Sequence, residues 1–181
     1  MRMDTFGNTN KITKLAIFDF DGTLISTPLP ETGRQEYHDK TGKAWPHEGW
    51  WGRHESLDME VFDMPTLEEV IADYEKATAE ESTAVVLLTG RMIKLSEHVK
   101  VILDAKGLTF DEYHYNRGGA TEMAKMKSME KLLEKYKDVT EMELWDDRLP
   151  HIPIFEAFLQ KQVDEGRITS FKINVVNGSH H

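Results

Sequence analysis

The sequence predicts an α/β fold: a doubly wound parallel sheet of about five strands, with a small insertion after the first strand. Three observations carry this. Short apolar runs without polar alternation read as strands buried on both faces. Between them, apolar residues recur at three- and four-residue spacing, the period of a helix. Polar clusters fall where the strands end, the edge at which open α/β sheets bind ligands.

In chain order, residues 15–20 form the first apolar run. Residues 25–65 lack a clear period and are rich in Pro, Gly, Trp and His; they are too long for an ordinary connection and are expected to form a cap or an ordered loop. Thr66, with Glu69 three residues on, has the form of a capping box, and Leu67, Val70, Ile71 and Tyr74 continue at helical spacing. Residues 85–88 are a second strand. Leu95, Val99, Ile102 and Leu103 stripe the next helix, which Gly107 closes. Residues 110–115 are a third strand. Met126, Met129, Leu133 and Tyr136 mark a helix beginning near Ala120. A short strand at 142–145, a helix marked by Ile152, Phe155, Leu159 and Val163, and a last strand at 168–176 complete the pattern. A single domain over 14–176 is expected, behind a polar tail at 1–13 and before a GSHH end at 178–181 that looks like a tag remnant.

With 181 residues, the chain suits one domain with room for a small insertion, and a hydrophobic content of 39% with four Trp and eight Phe is enough for a core. The absence of cysteine excludes disulfides and Cys-based zinc sites. No apolar stretch approaches the roughly 20 residues of a membrane span, and the polar N-terminus lacks the apolar centre of a signal peptide. A soluble, cytoplasmic protein is the simplest expectation. The net charge of −10 argues against an extended nucleic-acid surface and leaves room for a short, local contact. An anionic substrate would need a metal and a few placed cations to offset that charge locally.

The chemistry concentrates in four places. Asp19 and Asp21 stand two apart at the end of the first strand, where side chains at i and i+2 point the same way. Two such carboxylates repel unless a cation or a proton separates them, which suggests a divalent metal and one carboxylate free to act as a nucleophile. Thr89, Gly90 and Arg91 follow the second strand; a hydroxyl and free amides at a helix start suit a phosphate oxygen. Lys125 lies near the start of the helix after the third strand, with Lys127 as a rival. Asp146, Asp147 and Arg148 follow the fourth strand.

The septet FDFDGTL at 18–24 resembles the first signature of the haloacid dehalogenase-like (HAD) phosphohydrolases, and the order of the other three clusters resembles that superfamily's remaining motifs over about residues 14–160. The resemblance implies a Rossmann-like HAD fold and a Mg2+-dependent phosphatase. Asp19 would be the nucleophile and Asp21 the general acid and base. Thr89 would hold the transferring phosphoryl group, and Lys125 would neutralise both it and the nucleophile. Asp19, Asp21, Asp146 and Asp147 would form the metal site. Simple dehalogenases of the superfamily lack the second Asp, so Asp21 tilts the reading toward phosphoryl chemistry. Gly22, Thr23, Gly90, Arg91, Arg148, Trp50 and Trp51 are candidates for phosphate or substrate contact. Thr27-Pro28, Pro30, Gly49-Trp50-Trp51, Ser56-Leu57, Thr121 four residues before Lys125, and Asp147-Arg148 with His151 and Phe155 are together similar to the Swiss Army Knife RNA repair-like HAD branch. That branch often has Glu where this chain has Asp146, and Phe where it has Ala124. Some of its relatives are linked to RNA-end processing, which implies a nucleotide or an RNA or DNA end as substrate.

Plainer roles compete. Trp45, Trp50 and Trp51 serve either as the insertion's own core or as a platform for a nucleobase. His38, His47 and His54 fit no common zinc spacing. The methionines at helical spacing are core filling. A phosphatase for a small metabolite or mononucleotide, a phosphotransferase, and a non-catalytic interaction module remain the alternatives.

Overall fold

The computed structural model describes residues 11–176; most of the polar tail and all of 178–181 lie outside the described residues. The elements run β1 (Lys14–Phe18), α1 (Pro30–Thr41), α2 (Glu68–Thr78), β2 (Thr83–Met92), α3 (Ser96–Ala105), β3 (Glu112–Asn116), α4 (Thr121–Lys135), β4 (Glu141–Asp146), α5 (Ile152–Asp164) and β5 (Ser170–Val175). Short 3₁₀ turns occupy His54–Leu57, Ile93–Leu95 and Leu149–His151.

The five strands form one sheet in the order β3-β2-β1-β4-β5, and every pairing is parallel. Burial on both faces explains the continuous apolar runs. In β1, Ala16 and Phe18 face a core built with α2, α3 and the insertion, while Leu15 and Ile17 face one built with α4 and α5. β2 alternates likewise: Val85 and Leu87 face the first core, and Val86 and Leu88 the second. The strand order reverses direction between β1 and β4. That reversal leaves a crevice at their carboxyl ends.

Residues 25–65 leave and rejoin the sheet at one neck. Ile25 pairs antiparallel with Thr66, the Ser26 amide donates to the Pro65 carbonyl (2.8 Å), and the Leu67 amide donates to the Leu24 carbonyl (3.0 Å). Between these ends lies α1, a helix the sequence period did not reveal. Its sequence PETGRQEYHDKT is polar on nearly every side, and only Gly33 is buried. Trp50 accounts for that burial: a Cβ on Gly33 would collide with the indole.

Two local expectations fail. The capping box at Thr66 does not form; α2 starts at Glu68, and the Thr66 hydroxyl donates to the Glu68 carboxylate instead (2.7 Å). β2 does not stop at Leu88 but runs on through Thr89, Gly90 and Arg91 to Met92, with a register shift against β3 between Leu88 and Met92. Those three residues therefore lie on an irregular strand end. The helix expected to begin there starts only at Ser96.

Candidate active site

The crevice between β1 and β4 gathers buried charge. Asp19 follows β1, and its amide donates to the Trp145 carbonyl at 3.0 Å, which fixes it beside the end of β4. Asp146 ends β4 and Asp147 follows it. Asp19, Asp146 and Asp147 each offer a carboxylate oxygen, all within 4.8 Å of one another, and all three residues are buried.

Lys125 reaches this cluster from the second turn of α4. Its Nζ donates to Asp19 Oδ1 at 3.0 Å and to Asp146 Oδ2 at 2.7 Å, and the residue is only 4% exposed. Lys127, two positions on, is exposed. Helix geometry explains the difference in burial, because Lys125 shares its face with the core residues Met129, Leu132 and Leu133. Thr23 donates to Asp19 Oδ2 at 3.3 Å. The Arg148 amide donates to Asp146 Oδ1 at 3.0 Å, while the Arg148 side chain is exposed at the crevice edge.

Asp21 departs from the expected metal set. Strand β1 ends at Phe18, so the pleat that would align Asp19 with Asp21 does not extend that far, and Gly22 turns the chain with φ 68°. The Asp21 carboxylate is not among the three that converge. It accepts from the Thr27 hydroxyl (2.7 Å) and from Arg91, whose Nε and Nη2 donate at 2.9 and 2.7 Å.

Arg91 departs from its expected role as well. Its remaining contacts run from Nη1 to the Trp51 carbonyl (2.7 Å) and to Ser56 Oγ (2.8 Å), and its side chain is 1% exposed. A guanidinium so occupied and so deeply buried is not presented to an incoming phosphate. Trp50 is also withdrawn: it is 3% exposed, donates to the Pro28 carbonyl at 3.2 Å and packs on Trp45 and Phe62. Trp51 is 39% exposed and lies over the Arg91 guanidinium, 5.0 Å from ring centroid to carbon. Thr89 is buried, and its Oγ1 accepts from the Arg91 amide (3.1 Å). Gly90 lets α4 approach β2, since a Cβ there would meet Thr121 Cγ2 at 2.5 Å.

Electrostatics follow from this packing. Burial pushes the Asp19 carboxyl well above the usual range; Lys125 opposes this, and Asp146, Asp147 and Asp21 add to it. Burial pulls the Lys125 amine down, but Asp146 and Asp19 outweigh it and hold it above its ordinary value. His151, near the start of α5, is lowered by burial and then by Arg148; its Nε2 lies 3.4 Å from a Glu122 oxygen. Four carboxylates (Asp19, Asp21, Asp146, Asp147) face two cations, Lys125 and Arg91. The residual negative charge and the all-oxygen donor set fit a hard divalent cation such as Mg2+.

Thr27 and Ser56 carry contacts to this site that no sequence argument had given a role. Both were visible only as members of the branch pattern, because a lone hydroxyl has no spacing signature.

This sheet, with acids at its switch point and a lysine arriving from the far helix, defines the HAD class of α/β domains. Within it, the chain belongs to the family described as "HAD domain family 1 in Swiss Army Knife RNA repair proteins", which matches residues 40–181 and so begins after the Asp19–Asp21 septet. It is similar to the uncharacterized protein YMR265C of Saccharomyces cerevisiae, 27% identical over 170 residues, which take in 81% of this chain. The chain spans 37% of the length of that curated relative. Among solved structures it resembles the HAD domain of the effector protein Lem4 from Legionella pneumophila (TM-score 0.55, 10% identity, 94% of this chain and 90% of that one). It also resembles an archaeal β-phosphoglucomutase from Pyrococcus sp. strain ST 04 (TM-score 0.52, 15% identity, 81% and 83%). At these identities the structural likeness is one of fold. No helix among the described residues is long and apolar enough to cross a membrane.

Proposed function

We propose that this chain is a magnesium-dependent phosphatase that passes a phosphoryl group through Asp19. The observation that carries the reading is the convergence of Lys125 on Asp19 and Asp146, beside Asp147, in one buried pocket. A surface ion pair needs no such burial, and burying three acids around one lysine without a catalytic or ligand role has no compensating gain in stability.

Asp19, Asp146 and Asp147 would hold the cation, which would supply positive charge against the carboxylates and the phosphoryl oxygens. A carboxylate oxygen of Asp19 attacks phosphorus as the bond to the ester oxygen breaks, leaving an aspartyl-phosphate. The departing oxygen takes a proton from Asp21. Water then attacks phosphorus and gives its proton to Asp21, the bond to Asp19 breaks, and inorganic phosphate leaves. Lys125 counters charge on Asp19 and on the transferring group, and the Thr89 hydroxyl donates to a phosphoryl oxygen.

The finer reading is a phosphate monoester on a nucleotide or on an RNA or DNA end. The family's description as a domain of RNA repair proteins supports it. The partly exposed indole of Trp51, lying over the guanidinium that grips Asp21, also supports it as an aromatic group beside the acid/base residue. Steady-state assays on an aryl phosphate, mononucleotides, sugar phosphates and 3′- or 5′-phosphorylated RNA and DNA oligomers, each with and without magnesium, test both levels. Magnesium-dependent turnover lost in Asp19→Asn supports the phosphatase. A preference for oligomer ends supports the finer reading, and preference for mononucleotides or sugar phosphates replaces it.

A further inference from the structure

We infer that Arg91 is a positioning residue through which the insertion sets the orientation of Asp21. One buried guanidinium joins three parts of the fold. It is carried on the irregular end of β2, where its own amide is held by Thr89 Oγ1. Its Nε and Nη2 grip both oxygens of Asp21, a two-point contact that fixes the carboxylate plane as a single hydrogen bond does not. Its Nη1 holds the Trp51 carbonyl and Ser56 Oγ, both far along the insertion.

Ser56 is itself fully buried and donates to the Arg53 carbonyl at 2.7 Å, so its oxygen is held in place to receive Arg91. Thr27, just past the neck, adds a third restraint on Asp21. The insertion therefore meets the site as a wall fastened to the acid/base residue. Its seating and the direction in which Asp21 points are one degree of freedom, and the donors of Arg91 go to Asp21, Trp51 and Ser56 rather than to the three converging carboxylates.

This inference rests on the phosphatase reading, because orientation of Asp21 matters only where Asp21 moves a proton to the leaving oxygen. The test is a leaving-group series, from dinitrophenyl phosphate through phenyl phosphate to an alkyl phosphate, run on wild type, Arg91→Gln, Arg91→Lys and Ser56→Ala. A good leaving group departs without a proton and a poor one does not. Arg91→Gln is expected to lose about a hundredfold in kcat/KM, which reports only formation of the aspartyl-phosphate, on the alkyl ester, and far less on the dinitrophenyl ester. Arg91→Lys restores little, because an ammonium cannot span both carboxylate oxygens and the insertion. Ser56→Ala steepens the leaving-group dependence in the same direction by a smaller factor.

Hydrogen exchange on the same variants provides a readout that does not need turnover. Arg91→Gln is expected to lose protection in residues 20–27 and 50–58 together, while the strands keep theirs. Equal losses across the whole ester series would overturn the inference and leave the phosphatase standing, as would unchanged exchange in either segment. A wild type that turns over none of the esters would overturn both.

Discussion

Lys125 is the residue whose burial is hardest to explain without function. Its ammonium sits between two buried carboxylates at 3.0 and 2.7 Å. Removing the cation while leaving the acids strands two like charges in a dry pocket. Lys125→Met is therefore expected to cost about 3–5 kcal/mol in urea unfolding without metal. An exposed pair would cost under about 1 kcal/mol. A loss in that lower range would mean that the pocket is open to water. The inward placement of Lys125 was legible in the sequence because the apolar residues of α4 put it on the core face. The grip of Arg91 on Asp21 was not legible: those residues lie 70 positions apart, and an arginine at a strand end reads as a phosphate ligand until its donors are seen to be occupied.

At the scale of elements, the insertion packs on the sheet as well as on itself, since Trp50, Leu57, Phe62 and Met64 share one core with Phe18 and Leu87. Gly33 on α1 is the contact point for Trp50, and the clash a Cβ would make falls on a ring already wedged between Trp45 and Phe62. Gly33→Ala is expected to destabilise by about 1–3 kcal/mol, as overpacking does, with the loss read as a lowered Tm. An unchanged Tm would mean that Trp50 can swing away. A second expectation concerns the start of β3. Burial alone would raise the Glu112 carboxyl, but hydrogen bonds from Lys135, Tyr136 and His114 outweigh it and hold the group below its ordinary value. A lowered acid contributes stability above the unfolded-state value and loses it as the pH falls through the folded one. Glu112→Gln should thus be less stable than wild type at neutral pH, and the gap should close as the pH drops below about 4. A gap of constant size would show that its charge is not what matters. The sheet itself was readable from continuous apolar runs, because both of its faces are covered. α1 was not, because a helix that buries one glycine leaves no apolar stripe, and the end of β2 was missed because a glycine and an arginine interrupt its apolar run.

Across the whole molecule, a net charge of −10 meets a pocket in which four carboxylates face two cations. A divalent ion bound there relieves both local repulsion and part of the burial cost of Asp19. Magnesium at a hundredfold excess over its dissociation constant is expected to stabilise the fold by about 2.7 kcal/mol. The rise in Tm should be absent with sodium chloride at equal ionic strength and reduced in Asp147→Asn. An equal rise with sodium chloride would assign the effect to general screening.

A phosphatase that works through Asp19 passes through a covalently phosphorylated Asp19 within this cluster. Mixing the protein with magnesium and a reactive phosphomonoester, quenching in acid and mapping peptides by mass spectrometry tests it directly. One added phosphoryl group is expected on the peptide bearing Asp19, absent without magnesium and absent in Asp19→Asn. Turnover with no adduct at Asp19, or an adduct that persists in Asp19→Asn, would contradict it.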